Sequence, residues 1–266
     1  MAKQKSLPVS VCMVSAAEAR RIGRALGSVA GWAAEIIIVL NEEADDGTEE
    51  IALQHGAKVY REPWKGFIGQ KNSATARAAQ PWVLNLDADE CVSAELQAEI
   101  ATVLHAPGRA PGAYEFPRCT YYCGRWIRHG DWYPDRVCRL SQRGLARWTG
   151  QEPHARLAVE GKVGRLRSDL LHYSNESIAR QISKIPPYHE DAVRRLAAEG
   201  SSAGAVELTF RPWWRFIRAY FFRRGFLDGW QGFYIARLSA FSTLTKYAMV
   251  LEARQKDSCA LPGTHR

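Results

Sequence analysis

Apolar and polar positions alternate along the first hundred residues in the order expected of strands and helices that follow one another. Four runs rich in Val, Ile and Leu have the length of strands: Leu7–Val14, Glu35–Leu40, Lys58–Arg61 and Trp82–Leu86. Helical segments separate them: Ala17–Val29, Glu49–His55 and Gln70–Ala79. The Glu35–Leu40 run is almost purely Ile and Val, which suits a strand covered on both faces. This order predicts an α/β fold with a doubly wound, mostly parallel sheet and helices on both faces.

The pattern changes after about residue 105. Short alternating runs at Gly112–Cys119 and Val137–Leu140 indicate strands joined by long loops. Helical character returns at Ile178–Ala198 and from residue 212 to about 253. We therefore predict one α/β domain over residues 1–205, a helical segment over 206–256 and a tail over 257–266.

The charge of the chain is unevenly distributed. The formal net charge is +8. Residues 1–159 hold 19 Lys and Arg against 18 Asp and Glu, whereas residues 160–266 hold 17 against 10. Positive charge is therefore concentrated in the C-terminal part, where it suits an anionic partner such as a lipid surface or a phosphorylated glycan.

The cysteines and apolar segments bear on whether the protein is disulfide-bonded, zinc-binding, secreted or integral to a membrane. Six cysteines are scattered without a C-x-x-C pair, which favours reduced thiols over a disulfide framework or a zinc site. The start of the chain has lysines and an apolar run, but Pro8, Ser10 and Ser15 interrupt it, so we expect no secretory signal. No uncharged apolar stretch reaches the roughly 18 residues that a spanning helix needs. We expect a cytoplasmic protein that is not integral to a membrane.

The most informative polar cluster is Leu86-Asp87-Ala88-Asp89-Glu90, at the end of a predicted strand. Ligands of doubly wound sheets bind beyond the carboxyl ends of the strands. Asp87 and Asp89 stand two positions apart and can share one Mg²⁺ or Mn²⁺, which would neutralise a diphosphate that Asp87 also helps to bind. The structural alternative is a turn with helix-capping acids, because Ser93 and Glu95 open a helix shortly afterwards.

Longer motifs surround this cluster. They are Glu35-Ile-Ile-Ile-Val39, Asp46-Gly-Thr48, Trp64-Lys-Gly-Phe-Ile-Gly-Gln-Lys-Asn72, Trp132-Tyr-Pro-Asp-Arg-Val-Cys-Arg-Leu140, Leu170-Leu-His-Tyr-Ser174 and Gly225-Phe-Leu-Asp-Gly229. Through them, the chain from Ser10 to about Glu252 resembles the family 2 glycosyltransferases of lipopolysaccharide core assembly, the β-1,4-glucosyltransferase type. The resemblance implies a Rossmann-like GT-A fold, an inverting transfer and a nucleotide-sugar donor, usually a UDP-sugar.

The resemblance also implies which residues hold the nucleotide. The first-strand motif T-x-N-E of the family falls on residues 15–18, so Glu18 is expected at the nucleotide, although Ala17 stands where Asn is usual. The second-strand motif D-S-G-S-T-D falls on residues 41–46, which puts Asn41 where an acid is usual. An amide can still hydrogen-bond the edge of a pyrimidine.

The residue that the family uses as general base is missing here. Its motif V-H-E falls on Pro153-His154-Ala155, and Ala155 cannot take a proton. An inverting transfer needs a base opposite the leaving group, worth ~10²–10⁴-fold in rate. Glu152 and His154 are the candidates, and we favour Glu152 because a small shift around Pro153 would bring it into place. The alternatives are a surface Glu and a structural His in a weakened or inactive site.

Basic and aromatic residues are expected at the donor phosphates and the acceptor. Lys71 matches a basic position of the family and can pair with a donor phosphate; the alternative is a solvated helix face. Trp132, Asp135 and Arg136 suit an acceptor site, because aromatic faces stack on sugars and Arg binds phosphate or carboxylate with two N–H groups. Packing of a proline-bounded loop is the structural alternative.

Residues 210–224 read FRPWWRFIRAYFFRR. Arg211, Arg215 and Arg218 recur at helical spacing, with Trp213 and Phe216 on neighbouring faces. Such a helix can lie in the interface of an anionic bilayer. The alternative is a helix that packs its aromatic side chains on the catalytic domain and leaves its arginines in solvent. We do not expect a nucleic-acid partner, because neither the acidic cluster nor the order of elements indicates one.

The sequence thus predicts a metal-dependent, inverting transferase that moves glucose or another hexose from a UDP-sugar. By resemblance, the acceptor is a lipopolysaccharide-core or lipid-linked glycan at the cytoplasmic face of the inner membrane. Two other functions stay open. One is a relative that lost turnover and binds nucleotide sugars or glycans, which the residues at 17, 41 and 155 allow. The other is a nucleotidyltransferase, which would need a glycine-rich loop where no glycine occurs before Gly23.

Overall fold

The structure of the protein is a computed structural model. It describes residues 6–106, 110–152, 154–174, 177–199, 204 and 206–258, so the predicted tail lies almost wholly outside the described residues. Contacts divide the chain into two units. Unit 1 comprises Met1–Cys119 and Asp135–Tyr173, and unit 2 comprises Thr120–Pro134 and Ser174–Arg266.

Unit 1 contains the α/β part of the chain. Its strands are β1 (Leu7–Ser15), β2 (Ala33–Asn41), β3 (Lys58–Glu62), β4 (Trp82–Asn85), β5 (Glu90–Val92), most of β6 (Ala113–Tyr122), β8 (Asp135–Gln142), β9 (Ala146–Gln151), β10 (His154–Val159), β11 (Val163–Arg165) and β12 (Leu170–His172). Its helices are α1 (Ala19–Gly27), α2 (Thr48–Gln54), α3 (Gly66–Ala76) and α4 (Ala94–His105). The predicted alternation of strands and helices over the first hundred residues is confirmed.

The main sheet has the order β3-β2-β1-β4-β8-β6-β12-β5. The first four strands in this order are parallel, with Met13 of β1 beside Ile38 of β2, and Val11 beside Leu84 of β4. From β8 onward, pairing becomes antiparallel along β4-β8-β6 and between β5 and β12. The change matches the altered sequence pattern after residue 105. As a result, the loops after β1, β2 and β4 leave the same edge of the sheet.

Burial on both faces of the sheet explains the apolar run of strand β2. Ile38 is fully buried in a core cluster with Met13, whereas Ile37 and Val39 are fully buried in a second cluster with Ala74. Burying an aliphatic side chain contributes roughly 1.5–3 kcal/mol. The parallel half of the sheet therefore rests on two packed layers, as a doubly wound sheet requires.

Unit 2 is mostly helical. It contains β7 (Arg125–Ile127), 3₁₀ turns at Gly130–Trp132 and Gly225–Asp228, π turns at Val206–Phe210 and Arg218–Phe222, and the helices α5 (Ile178–Ser183), α6 (Ile185–Ala198), α7 (Arg211–Ile217) and α8 (Gly229–Ser258). Strand β7 pairs antiparallel with the last residues of β6. Among the described residues, no helix combines the length and the apolar character needed to cross a membrane.

Two contacts join parts of unit 2 that lie far apart in the sequence. His189 Nε2 of α6 lies 2.7 Å from Ser242 Oγ of α8, which joins the helix at 185–198 to the C-terminal helices. The buried carboxylate of Asp228 accepts hydrogen bonds from the backbone N–H groups of Arg128 (3.0 Å) and His129 (2.8 Å). The residues that they join are 53 and 99–100 positions apart in the chain, and all of them belong to unit 2. The boundary at residue 205 stays a prediction.

Candidate active site

Asp46 ties the loop after β1 to the start of α2. Its Oδ1 accepts hydrogen bonds from the Thr48 backbone N–H (3.1 Å) and hydroxyl (2.5 Å), and its Oδ2 accepts one from the Ala19 N–H (3.0 Å). These bonds, the Thr48 hydroxyl first, lower the pKa of Asp46. Thr48 Oγ1 in turn accepts a bond from the Glu18 N–H (2.9 Å). The Asp46-Gly-Thr48 motif therefore fixes the backbone that carries Glu18.

A cavity of about 590 Å³ opens at this edge of the sheet. Acidic, basic and aromatic side chains line it together: Glu18, Trp64, Phe67, Lys71, Asp87, Asp89, Arg118, Arg139, Trp148 and His172. Smaller residues complete the wall: Val14, Ser15, Ala16, Ala88 and Ala155. A concave site of this size with convergent polar groups suits a charged small-molecule ligand.

Two cations hold the carboxylate of Asp87. Lys71 Nζ lies 2.7 Å from Oδ1, and Arg139 Nη2 lies 2.5 Å from Oδ2. Burial alone would raise the pKa of Asp87, but the charges of Arg139 and Lys71 bring it well below the usual range. Lys71 also lies 4.4 Å from the centre of the Trp148 ring. The structure therefore places Lys71 inside the cavity and not on a solvated helix face.

Glu90 links this pair to the rest of the sheet. Its side chain is fully buried, and its Oε1 accepts from Arg139 Nη2 (2.9 Å) and Arg118 Nη1 (3.1 Å). Its Oε2 accepts from the Asp87 backbone N–H (3.1 Å). Arg118 also pairs with Asp135, 2.7 Å away. The predicted acceptor residue Asp135 therefore neutralises an arginine that lines the cavity.

Asp89 is paired with an imidazole. Asp89 Oδ2 lies 3.4 Å from His172 Nε2 and 3.7 Å from Arg21 Nη1. Burial raises the pKa of Asp89, but the interaction with His172 outweighs it, so that pKa lies below its ordinary value. Strand β12 delivers His172 because it pairs with β5, which puts His172 beside Glu90.

A cation at this position would find a carboxylate oxygen and an imidazole nitrogen. Within the described part of the chain, no three His, Cys, Asp or Glu side chains form a ready-made metal site. Mg²⁺ and Mn²⁺ commonly take one or two protein ligands and complete their shell with phosphate oxygens and water. Asp89 and His172 fit that requirement, whereas both oxygens of Asp87, predicted to share the metal, are engaged by cations.

The two predicted nucleotide residues lie at the ends of adjacent strands. Glu18 lines the cavity and pairs with Arg21, 2.8 Å away. Asn41 is the last residue of β2 and is half-buried, and its carbonyl accepts a bond from the Ala44 N–H (2.9 Å). The cavity wall described above includes Glu18 but not Asn41.

The carboxylate of Glu152, the favoured base, contacts the first turn of α3. Its Oε1 accepts a bond from the Ile68 N–H (2.7 Å). Gly66 leaves room for it, because a Cβ at Gly66 would lie 2.9 Å from that oxygen. An acid here satisfies a free helix N–H and interacts favourably with the helix dipole. Ala155 reaches the cavity wall, whereas the side chain of His154 lies outside the described part of the chain.

The predicted acceptor loop spans both units. Arg136 belongs to β8 of unit 1 and donates to the Leu166 carbonyl (3.2 Å). Trp132 belongs to unit 2, where its ring meets that of Tyr122 edge-on, with centroids 5.1 Å apart. Of the three predicted acceptor residues, Asp135 is the one that contacts a residue of the unit 1 cavity wall, and that residue is Arg118.

Comparison with known proteins decides the family. The model of glycosyl transferase family 2 matches residues 10–152, more than half of the chain. This protein is a family 2 glycosyltransferase. An uncharacterized glycosyltransferase of Rickettsia typhi is 31% identical over 93% of this chain and 88% of its own. The lipopolysaccharide core biosynthesis glycosyltransferase LpsC of Rhizobium meliloti is 28% identical over 91% of this chain and 94% of its own.

A solved structure supports the fold. S. aureus TarS in complex with UDP-GlcNAc resembles this glycosyltransferase with a TM-score of 0.51 at 14% identity, covering 94% of this chain and 92% of that one. The predicted GT-A fold is thereby confirmed, and family membership confirms the predicted enzyme class.

Sequence reasoning missed several cavity residues of this glycosyltransferase. Arg139 and His172 lie inside motifs noted above, yet neither stood out as a site residue. Arg139 could have been found from its position inside the predicted strand Val137–Leu140. A charge buried in a strand needs a partner, which points to a polar site nearby. Asn72 was also overlooked: its side chain donates to the Trp148 carbonyl and accepts from the Trp148 N–H, both at 2.9 Å, which joins α3 to β9.

Proposed function

We propose that this glycosyltransferase transfers a hexose, with inversion, from a UDP-sugar to a lipopolysaccharide-core or lipid-linked glycan, using Mg²⁺ or Mn²⁺. The observation that carries the proposal is the pairing of Asp89 with His172 beside Lys71 and Arg139 in one cavity. The name of LpsC supports the acceptor class, and the UDP-GlcNAc complex of TarS supports the donor class.

The donor diphosphate is proposed to lie between the two sides of this cavity. Lys71 and Arg139 supply N–H donors on one side, and Asp89 and His172 supply metal ligands on the other. A bound Mg²⁺ or Mn²⁺ would neutralise the charge that develops on the leaving diphosphate. Glu18, with Asn41 at the neighbouring strand end, is proposed to contact the nucleoside.

The acceptor hydroxyl is proposed to attack the anomeric carbon from the face opposite the diphosphate. Its proton would pass to a base from the β9–β10 hairpin, either Glu152 or His154. The Ile68 N–H binds only Oε1 of Glu152, so Oε2 is the oxygen proposed to take the proton.

Unit 2 is proposed to attach the enzyme to the cytoplasmic face of the inner membrane. Several of its aromatic side chains are exposed: Trp213 by 56%, Phe222 by 70% and Trp230 by 57%. Aromatic residues next to arginines suit the interface of an anionic bilayer. The C-terminal excess of positive charge supports the same assignment.

A second candidate function rests on Ala155. This methyl group lines the cavity at the position where the family resemblance places the base. A relative without turnover would keep the donor cavity and act as a nucleotide-sugar or glycan-binding protein. Turnover by the purified protein distinguishes the two functions.

The test is calorimetric titration of UDP, with and without Mn²⁺, into the wild type, Asp89→Asn and His172→Ala. We expect Mn²⁺ to tighten UDP binding to the wild type by about tenfold or more, and neither variant to show this increase. The control is Glu115→Gln, which removes a carboxylate outside the cavity. Mn²⁺ should tighten UDP binding to this variant as it does for the wild type. UDP binding that ignores Mn²⁺ would refute the metal assignment, and no UDP binding at all would refute the donor assignment.

Turnover is then measured with a panel of UDP-sugars and purified lipopolysaccharide core. Glu152→Gln should lower kcat by about 10²-fold or more, with donor affinity unchanged, if Glu152 is the base. An effect of His154→Ala alone would move that role to His154. A wild type that binds UDP and never transfers sugar would favour the binding-protein function.

A further inference from the structure

Two cavities of unit 2 meet at one side chain, that of Leu238 on α8. One has a volume of about 450 Å³ and the other about 570 Å³. Among the described residues, none lines both the unit 1 cavity and one of these two. Helix α7 contributes to both, with Arg215 lining the smaller cavity and Trp213 the larger.

The smaller cavity is cationic. Lys184, Arg215 and Lys246 line it, and its described wall contains no acidic side chain. Burial and the charge of Lys246 lower the pKa of His189, so this fourth basic residue is neutral at pH 7. The hydroxyl of Ser242 also lines the wall. The described wall thus offers cationic and neutral hydrogen-bond donors and has no acidic side chain of its own.

A buried carboxylate holds the arginine of this cavity in place. The side chain of Asp131 is only 2% exposed and pairs with Arg215, Arg218 (3.1 Å) and Arg223 (3.0 Å). Three guanidinium groups therefore face one carboxylate, and positive charge stays in excess. Arg215 of α7 and the arginines that follow that helix, Arg218 and Arg223, are thus organised around a buried anion and are not simply solvated side chains.

The larger cavity is an apolar groove. Trp213, Phe216, Phe241 and Leu244 line it, and Arg237 is the only charged residue in its described wall. Trp213 and Phe241 are about half exposed, so the groove is open to its surroundings. Covering such a wall with a hydrocarbon chain is favourable at ~25 cal/mol per Å² of apolar surface removed from water.

We propose that the two cavities together bind one lipid that carries a phosphate group. The hydrocarbon chain occupies the groove, and the phosphate contacts Lys184, Arg215 and Lys246. Phosphate oxygens accept hydrogen bonds, which matches a wall whose described residues include three cations and no acidic side chain. The proposal rests on the membrane attachment assigned above and specifies it: unit 2 selects an anionic lipid molecule and does not merely lie on a surface.

The test uses monomeric ligands and the full chain, so it needs neither vesicles nor transfer activity. Decyl phosphate, kept below its micelle concentration, is titrated calorimetrically beside decanol and inorganic phosphate. We expect one decyl phosphate per chain, bound at least about tenfold more tightly than either half-ligand.

Two variants separate the parts of the site. Lys184→Gln/Lys246→Gln should reduce decyl phosphate binding to the level of decanol, and Phe241→Ser should reduce it to the level of phosphate. The matched controls change exposed residues of unit 1: Arg147→Gln/Lys162→Gln removes two charges, and Tyr60→Ser removes an aromatic ring. UDP affinity, measured on every variant, shows that the unit 1 cavity is intact.

Equal affinity for decyl phosphate and inorganic phosphate would overturn the lipid assignment in favour of a free-anion site. Equal affinity for decyl phosphate and decanol would overturn the role of the cations. Binding that the controls weaken as much as the site variants would show general surface adsorption and also refute the proposal. Lipid binding is measured without a sugar donor. If the proposed transferase activity fails its own test, the lipid-binding results can therefore still be interpreted.

Discussion

Replacement of Arg139 by methionine is the sharpest test of how the cavity of unit 1 is built. The Arg139 side chain is 7% exposed and donates to both Asp87 and the fully buried Glu90. Methionine fills similar space but carries no charge, so the variant leaves two carboxylates with one cation fewer. Each retains a second partner, Lys71 for Asp87 and Arg118 for Glu90.

The magnitude follows from these partners. Removing one partner of a buried ion pair costs about 3–5 kcal/mol, and the remaining cations place this variant near the lower end. For a domain of this size, about 3 kcal/mol lowers Tm by roughly 6–12 °C. The control is Arg165→Met: Arg165 is 75% exposed and pairs with Glu115, so its loss should cost less than about 1 kcal/mol.

The pH dependence gives a second readout. Because the folded-state pKa of Asp87 is depressed, its ion pairs contribute stability above the unfolded-state pKa, ~3.9, and this is lost as pH falls. The Tm difference between wild type and Arg139→Met should therefore be complete at pH 7 and narrow below about pH 4. Calorimetric Tm values at pH 7, 5, 4 and 3 measure it. A Tm of the variant within 2 °C of the wild type at pH 7, by the ~2–4 °C per kcal/mol scale, would refute a structural role of this ion-pair network.

Three further predictions concern stability and reactivity. Asp46→Ala should lower the free energy of unfolding by about 1–2 kcal/mol at pH 7, because the backbone N–H groups of Ala19 and Thr48 lose their carboxylate acceptor. The folded state lowers the pKa of Asp46, so this loss of stability should shrink as the pH falls below the unfolded-state pKa towards the folded-state one; urea denaturation measures both effects. Phe116→Ala should cost about 3–5 kcal/mol in the same assay, because that side chain is fully buried in the core. Burial raises the pKa of Cys12 to about 12, so Cys12 should stay unmodified by a thiol reagent in the native protein while the exposed Cys123 reacts, as mass spectrometry would show.

The strands and helices of unit 1 were predictable because their hydrophobic patterns and helix caps agree with how these elements are buried in the fold. The apolar run of β2 reflects burial on both faces, and Ser93 accepts the Leu96 N–H (3.1 Å) as the expected cap of α4. Helix α3 instead begins at Gly66, four residues before its predicted start. A glycine weakens a helix locally, but here it leaves space for Glu152, which lies more than eighty residues away in sequence. Local propensity contains no information about such a contact.

Contacts between residues that are distant in sequence also determine the site and the packing within unit 2. The acidic cluster at 86–90 was recognisable from its place after a strand, but its partners Arg139 and His172 arrive from β8 and β12 through strand pairing. Asp228 lies in a motif that the sequence presents as functional. In the structure it binds the backbone of residues 128–129, and Gly232 lets the turn close, because a Cβ there would lie 1.9 Å from the Gly225 carbonyl oxygen.

The charges around the cavity bear on where a catalytic base can come from. A base must be unprotonated and have an oxygen or nitrogen open to the acceptor hydroxyl. Asp87 is held by two cations, Asp89 by His172 and Glu18 by Arg21, so each described acid of the wall is already engaged. Depressing the pKa of Asp87 and Asp89 makes them better anion partners and weaker proton acceptors. The hairpin around Ala155 is therefore the place to look for the base.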